Sequence, residues 1–500
     1  MGRVLKEMKR PPGTNIKLVV TIALKKETPA DWLASHRIPV HTTASLKSGA
    51  LKSQGRIDGG MLVMITGMGH EASEEAALWI KDNLSPLFVL NIGSCGLVHR
   101  KYKTGEWVRP EYVENEKGDR LALDTRLPVS YPDNITDVRS LVSVKKAFIG
   151  NVPDALKKHD AIDMECYAQA KVFHGAGISF HSLKFSTDYS DDNTISDFNR
   201  YIDLFITAFK ECFSFLEIYG THPKITVVVP VFNRHHTIWR AIESILSQSY
   251  PPEEIIVVND ASTDKTQDIL KSFGDKLTCL FLPRNSGPSR ARNEGIKHAK
   301  TEWIAFLDSD DLWEKDKLKK QIAYLNQYPF YQILQSEEEW IRNGKRVNPC
   351  KHHKKPEGWI WEPSLERCLV SPSGVLVKRS LLERYGLFDE SLPVCEDYDL
   401  WLKISRHHPV GLEPSLSIVK YGGHKDQLSR QYPAMDRFRV RSLARLLKNE
   451  QHPDFRKKII SVFEKKLKIL IKGYEKRQKW RDADECKLML ESLADNDNEQ

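Results

Sequence analysis

Cysteine is sparse in this chain: eight residues in 500, scattered, with no CxxC pair. That pattern argues for reduced thiols in a cytoplasm rather than a disulfide framework. Long apolar runs are missing too. No stretch approaches the roughly 18 to 20 residues that cross a bilayer, so no transmembrane segment is expected. The basic N-terminus MGRVLKEMKRPPGTN has no apolar centre of the kind a secretory signal needs, and a cytoplasmic location is expected. The complete GxGxxG spacing is also absent, which removes a dinucleotide reading of the Gly-rich turns. CKHH, Cys350 to His353, has no partner pair at metal-ligand spacing and gives no zinc site.

What remains is the composition of an ordinary soluble protein, 40% hydrophobic and 28% charged, in a chain too long for one core. The net charge is +8, and much of the excess lies in RKKIISVFEKKLKILIKGYEKRQKWR. There Ile459, Ile460, Phe463, Leu467, Ile469, Leu470 and Tyr474 recur near helical spacing with lysines between them. A solvated helix face is the preferred reading and a membrane-surface helix the alternative. No nucleic-acid partner is expected.

The pattern restarts near residue 221. YGTHPKITVVVPVFN carries turn residues Gly220 and Pro223 and then a β-branched run, Ile225 to Val231. Strand-like and helix-like segments alternate after it, which predicts a largely parallel, doubly wound α/β sheet with ligands at the carboxyl ends of its strands. At one such end stands WIAFLDSDDLW. Extended geometry would let Asp308 and Asp310 project together with Ser309 facing away, and a hard divalent cation, Mg²⁺ or Mn²⁺, would relieve their repulsion and hold a diphosphate. The competing reading is a helix N-terminus before LWEKDKLKKQ, with Asp311 as cap and Asp310 favouring the helix dipole.

The ordered segments VVVPVFNR, IIVVNDASTDKT, NSGPSRARNEGI, FLDSDD, SPSGVLVKRSLLERYGLFDESL and CEDYDLWLKI together resemble family 2 of the glycosyltransferases, over residues 222 to about 432. The resemblance implies a GT-A fold and transfer of a sugar from a nucleotide-diphospho-sugar, with inversion. It implies that Pro230 and Phe232 flank the nucleotide, that Asp260 accepts hydrogen bonds from the base, and that Arg290 and Arg292 approach the diphosphate. It makes Asp308 and Asp310 the metal pair and Asp397 the general base, with Glu396 as an orienter of the acceptor. Physical chemistry agrees with Asp397: EDYDLWLKIS reads as a helix start, whose positive end favours an ionised carboxylate. His424 falls where related enzymes sometimes place a histidine near metal or phosphate.

The first two hundred residues have their own punctuation. IKLVVTIALKKE, MLVMITGMGHEASEEAALWI and LFVLNIGSCGLV read as strands, two of them ending in Gly-rich turns that permit close backbone approach to a ligand. With AIDMECYAQAKVF and FHSLKFSTDYSDDN they resemble the nucleoside phosphorylase superfamily, especially the 5′-methylthioadenosine/S-adenosylhomocysteine nucleosidases, over residues 17 to 210. That resemblance makes Glu27 the acid that activates water, Met164 and Glu165 the ribose contacts, and Asp188 the acid that protonates a purine leaving group. Lys184 stands where many relatives carry arginine, and no phosphate-binding arginine is assignable.

The expected organisation is a phosphorylase-like mixed-sheet domain over 17–215, a glycosyltransferase domain over 222–435 and a helical extension over 436–500. A cap, an acceptor-binding element or a dimer contact would each fit the extension, so a homo-oligomer stays open. The expected partners are a nucleotide-diphospho-sugar, a glycan or lipid-linked acceptor, and a purine nucleoside. The rival expectation is a nucleotide-sensing or assembly protein with an inactive nucleosidase-like domain.

Overall fold

A computed structural model describes residues 16–36, 38–43, 60–129, 132, 134–145, 152–214, 216, 222–347, 354–423 and 431–497. Cys350 to His353 and His424 lie outside the described residues. The chain divides into two compact units, Met1–Thr221 with Leu325–Tyr331, and His222–Tyr324 with Gln332–Gln500.

The first unit is built on nine strands among the described residues: β1 (Leu18–Ile22), β2 (Val40–Thr42), β3 (Met61–Ile65), β4 (Phe88–Leu97), β5 (Trp107–Asn115), β6 (Arg120–Ala122), β7 (Ile135–Ser143), β8 (Ala161–Asp163) and β9 (Ser179–Asp188). The order is β2-β3-β1-β4-β8-β7-β5-β6, with β9 pairing both β4 and β5. Five strands therefore close on themselves, β4-β8-β7-β5-β9, and the long β4 and β9 run parallel at the join. β4 passes straight through Gly93 and Gly96, where the sequence suggested its end. The core lies between the sheet and helices His70–Asn83 and Cys166–Ala176, and it includes Val19, Leu62, Ile80, Val89 and Phe173.

In the second unit β10 (Ile225–Val231), β11 (Glu254–Asn259), β12 (Thr278–Phe281) and β13 (Trp303–Phe306) are parallel, as the alternating pattern predicts. The rest of the sheet corrects the doubly wound expectation. β14 (Leu312–Trp313), β15 (Ile333–Arg342), β16 (Lys345–Val347), β17 (Val375–Lys378) and β18 (Gly411–Gly422) extend it as β13-β17-β15-β18-β14, and β17 is antiparallel to both neighbours. The chain lays down β14, β15 and β16 between β13 and β17, so these two neighbours are not joined by the single right-handed βαβ crossover that enforces parallel pairing. Helix Pro288–His298 lies so close on β10 that a Cβ at Gly295 would stand 2.4 Å from Val228 Cγ1. The glycine of RNEGI is there for that approach.

Three helices close the chain, Asp436–Asn449, Pro453–Glu475 and Trp480–Asp497. Their apolar faces, with Phe438, Leu443, Ile459, Phe463, Leu467 and Leu470, share one core with Trp361, Tyr398 and Leu402. Each such buried side chain contributes roughly 1.5–3 kcal/mol. The extension thus buttresses helix Glu396–Ser405, on which Asp397 sits.

Candidate functional site

In the second unit the carboxyl ends of the parallel strands gather the acidic residues. The strand β13 stops at Phe306, and Asp308 to Asp311 form a turn closed by the Asp311 amide donating to the Asp308 carbonyl at 3.0 Å. This corrects the extended-strand geometry: Ser309 is buried rather than turned away. It also corrects the helix-cap reading, because Leu312–Trp313 is a strand and the next helix begins at Lys317. Asp311 instead accepts from the Ser373 hydroxyl at 2.7 Å and the Tyr421 amide at 3.2 Å, with Lys420 Nζ at 3.0 Å.

Arg292 ties this turn to the other acidic pair. Buried on helix Pro288–His298, it donates to Glu396 Oε1 at 2.6 Å and to Asp308 Oδ1 at 2.8 Å. Arg290, two residues earlier, parts company with it: half exposed, it pairs with Glu294 at 2.9 Å and Glu390 at 3.2 Å. Two residues apart on a helix point about 200° away from each other, which is why a pair read together in sequence separates in space.

The charges decide which carboxylates stay ionised. Burial would lift Asp308, but Arg292 and Lys420 together hold it below the usual carboxylate range. Asp310 is raised, by burial first and then by Asp308, against the pull of Arg234 and Lys420. Burial, against Lys420 and with Asp308 and Asp310 adding repulsion, carries Asp311 to about 6. Burial lifts Glu396 to about 7; Arg292 draws it back and the adjacent Asp397 pushes it further. Asp397, half-buried, accepts from the Tyr398 amide at 2.7 Å. The residue before the pair, Cys395, holds φ at +65°, a left-handed conformation that side chains rarely adopt and that fixes the start of this helix.

Nucleotide-side residues surround the ends of β10 and β11. Pro230 pairs with Val258, and Phe232 is more than a third exposed just beyond the strand. Asp260 is buried, and its two oxygens accept the Ser286 and Gly287 amides at 2.8 Å each, leaving one lone pair apiece for a ligand. Burial raises Asp260, and these two amides counter it.

Sequence reasoning missed Lys420, Ser373 and Arg240. From β18, Lys420 reaches Asp311 and Asp308 (3.8 Å), more than a hundred residues away in the chain, and the Ser371 hydroxyl (3.0 Å). Arg240 donates to the Asp310 carbonyl at 3.1 Å. No local signal marks a lysine in VKYGG as an ion-pair partner.

Among the described residues no three His, Cys, Asp or Glu side chains form a ready-made metal-holding group. The donor chemistry still fits a hard cation at Asp310, a carboxylate that burial first and then Asp308 raise and that a cation would hold ionised. Asp308 is the poorer candidate, because Arg292 and Lys420 already neutralise it.

The first unit has a separate acidic cluster around the ends of β4 and β9. Glu27, 1% exposed, accepts from the Ser94 amide (3.2 Å) and hydroxyl (2.8 Å) and from the Leu24 amide (3.1 Å). Glu165 accepts from the Gly69 amide at 3.1 Å, and Gly69 has φ +86°, a backbone shape that glycine adopts without strain. Burial lifts Glu165 to about 7, Lys184 draws it down, and Asp163 and Glu27 push it up. Asp188 pairs in register with Gly96 and accepts from Thr187 (2.8 Å), the Ser190 amide (2.8 Å) and Thr194 (3.2 Å); burial raises it. Met164 packs beside Val142, Val144 and Ile162. Lys184, fully buried, is held by Asp163 at 2.8 Å.

The comparisons with known proteins concern mainly the second unit. The family described as Glycosyl transferase family 2 matches residues 226–385. The glucosyltransferase WfaP of Escherichia coli is 33% identical over 189 residues, which cover 36% of this chain and 69% of its own. The putative teichuronic acid biosynthesis glycosyltransferase TuaG of Bacillus subtilis is 31% identical over 185 residues, 36% of this chain and 72% of its own. Matches to glycosyltransferases of Rickettsia typhi and Rickettsia prowazekii span 59% of those chains' length. A 5′-methylthioadenosine/S-adenosylhomocysteine nucleosidase from Neisseria meningitidis is 15% identical over 38% of this chain and 94% of its own, with a TM-score of 0.30, a likeness too low to carry an argument. The ordered segments of the second unit, the match at its centre and the share of WfaP and TuaG that this chain covers give one conclusion: the chain belongs to glycosyltransferase family 2.

Proposed function

We propose that the second unit transfers a sugar from a nucleotide-diphospho-sugar to an acceptor hydroxyl with inversion at the anomeric carbon. The observation that carries this reading is Arg292, which joins Asp308 of the turn to Glu396, the neighbour of Asp397, and so brings a diphosphate-side cluster and a base-side carboxylate to one place. Asp397 takes the proton of the attacking hydroxyl. Glu396, kept in place by Arg292, orients that hydroxyl, and Asp260, Pro230 and Phe232 hold the nucleotide. Mg²⁺ or Mn²⁺, held chiefly by Asp310, would supply charge neutralisation for the departing diphosphate. Arg234, Arg240 and Lys420 add fixed positive charge around the same turn. WfaP is named for adding glucose to a diphosphoundecaprenol-linked sugar, so glycans on a polyprenol diphosphate are the first acceptors to test.

The test is a screen of nucleotide sugars for release of nucleoside diphosphate. With the accepted donor, Asp310→Asn should lower donor affinity and turnover at least tenfold while the thermal melt stays unchanged, and a chelator should reproduce that loss in the native protein. Full turnover with chelator present removes the metal from the proposal and leaves the cationic side chains to bind the diphosphate unaided.

A second activity is favoured by one observation: Glu27 and Glu165 lie within electrostatic reach of each other, and Asp188 stands on the strand beside Ser94, the partner of Glu27. We read this as a nucleoside-cleaving site that uses water. Lys184 is consumed by Asp163, which leaves it a poor holder of phosphate. A 5′-substituted adenosine should then lose adenine without added phosphate. Asp188→Asn should cut that release by roughly a hundredfold or more, since the purine would depart unprotonated. Binding without cleavage would make the unit a nucleoside sensor, and no binding would make it structural.

A further inference from the structure

The basic helix of the C-terminal extension is only half explained by its packing. Its apolar side is covered: Ile459, Phe463, Leu467 and Leu470 are in the core with Trp361 and Tyr398. The opposite side is a stripe. At 100° per residue, Ser461, Lys465, Lys468, Ile469, Lys472 and Lys476 fall within about a third of the helix circumference, and all six are exposed. Residues 453–481 hold eleven Lys and Arg against three Asp and Glu, so this segment carries the same +8 as the entire chain.

Some of that charge is spent within the protein. Lys458 pairs with Glu362, Lys465 with Glu366, Lys466 with Asp436 and Lys468 with Glu464. Lys472, Lys476 and Lys479 have no acidic partner among the described residues. They lead into an exposed turn, and the next residue is Trp480, 58% exposed, followed by exposed Arg481. Ile469, 53% exposed, interrupts the lysine stripe one turn earlier. A purely solvated face has no use for an exposed tryptophan between two cations. A bilayer surface does, because the indole settles at the headgroup level while lysines meet anionic lipid. Nucleic acid would answer the charge but not the aliphatic Ile469.

We propose that the face Lys465–Lys476 with the turn Lys479–Arg481 docks on an anionic bilayer, the helix lying along the surface. No helix among the described residues is long and apolar enough to cross a membrane. This inference does not rest on the transfer reading, since it uses residues outside both acidic clusters.

Sedimentation of the full chain with vesicles tests it. The protein should pellet with phosphatidylglycerol-containing vesicles, stay in solution with pure phosphatidylcholine, and be released by salt. Lys472→Glu, Lys476→Glu and Lys479→Glu together should abolish pelleting, because each charge reversed near the surface weakens binding roughly fivefold or more. Trp480→Ala should weaken it severalfold and make what remains more salt-sensitive. These side chains are exposed, so the melt of each variant should match the native protein, and it is measured alongside. Absence of pelleting at low salt, or pelleting that the triple variant leaves unchanged, overturns the proposal. Retention of the chain by single- or double-stranded oligonucleotides with no vesicle binding would overturn it in favour of a nucleic-acid surface.

Discussion

Asp397→Asn should leave donor binding intact and lower transfer by about two to four powers of ten, the usual worth of a positioned general base. The amide has the shape of the carboxylate, and its oxygen can still accept from the Tyr398 amide. The helix beneath it stays in place because Tyr398 and Leu402 are locked into the core shared with the C-terminal helices. Glu396 and Arg292 are untouched, so the diphosphate side should not register the change. Only the proposed proton acceptor is gone. The measurement is nucleoside diphosphate release under saturating donor, set against donor affinity by calorimetry. A parallel fall in both would make Asp397 a donor ligand and end its assignment as base.

Arg292→Met should destabilise the second unit by about 3–5 kcal/mol, the cost of leaving a buried charge without its partner. The guanidinium is 5% exposed and serves two carboxylates at once. With it removed, Asp308 loses its nearest cation and Glu396 loses the guanidinium that draws it back against burial. Methionine keeps the stem volume, so packing loss is small and the effect is electrostatic. Adding Glu396→Gln should recover part of the loss, because one of the two stranded carboxylates is then neutral. Calorimetry should show the transition of the second unit moving down by roughly ten degrees, at about 2–4 °C per kcal/mol for a unit of this size. A shift of a degree or two would mean that water reaches the site and that the bridge does little for stability.

The two units were not equally legible. In the second, the β-branched run Ile225–Val231 and the helices at Pro288 and Glu396 are where sequence pattern places them, because each is settled within a dozen residues by periodicity, a proline at the first helical turn or a run of acids at a helix start. The turn Asp308–Asp311 does not follow from the local pattern. Three aspartates before LWEKDK satisfy a helix start as well as they satisfy a tight turn, and the choice was made by Lys420 and Ser373, which arrive from other strands. In the first unit the closing of β4-β8-β7-β5-β9 into a ring left no trace in the pattern, since a strand's alternation is the same in an open sheet and a closed one.

The sequence by itself determined many of the local elements, the identity of the acids and the family, all of which depend on residue types in order along the chain. Tertiary structure alone decided which acids are neutralised and by whom. Arg290 and Arg292 are equivalent on paper, but helix geometry turns one to the surface and buries the other between Asp308 and Glu396. Lys184 stands where many relatives carry arginine, and only the fold brings Asp163 to 2.8 Å from it. The physical reason is common to both: an electrostatic partner acts across a few ångströms of space, and the fold sets that distance without regard to separation along the chain.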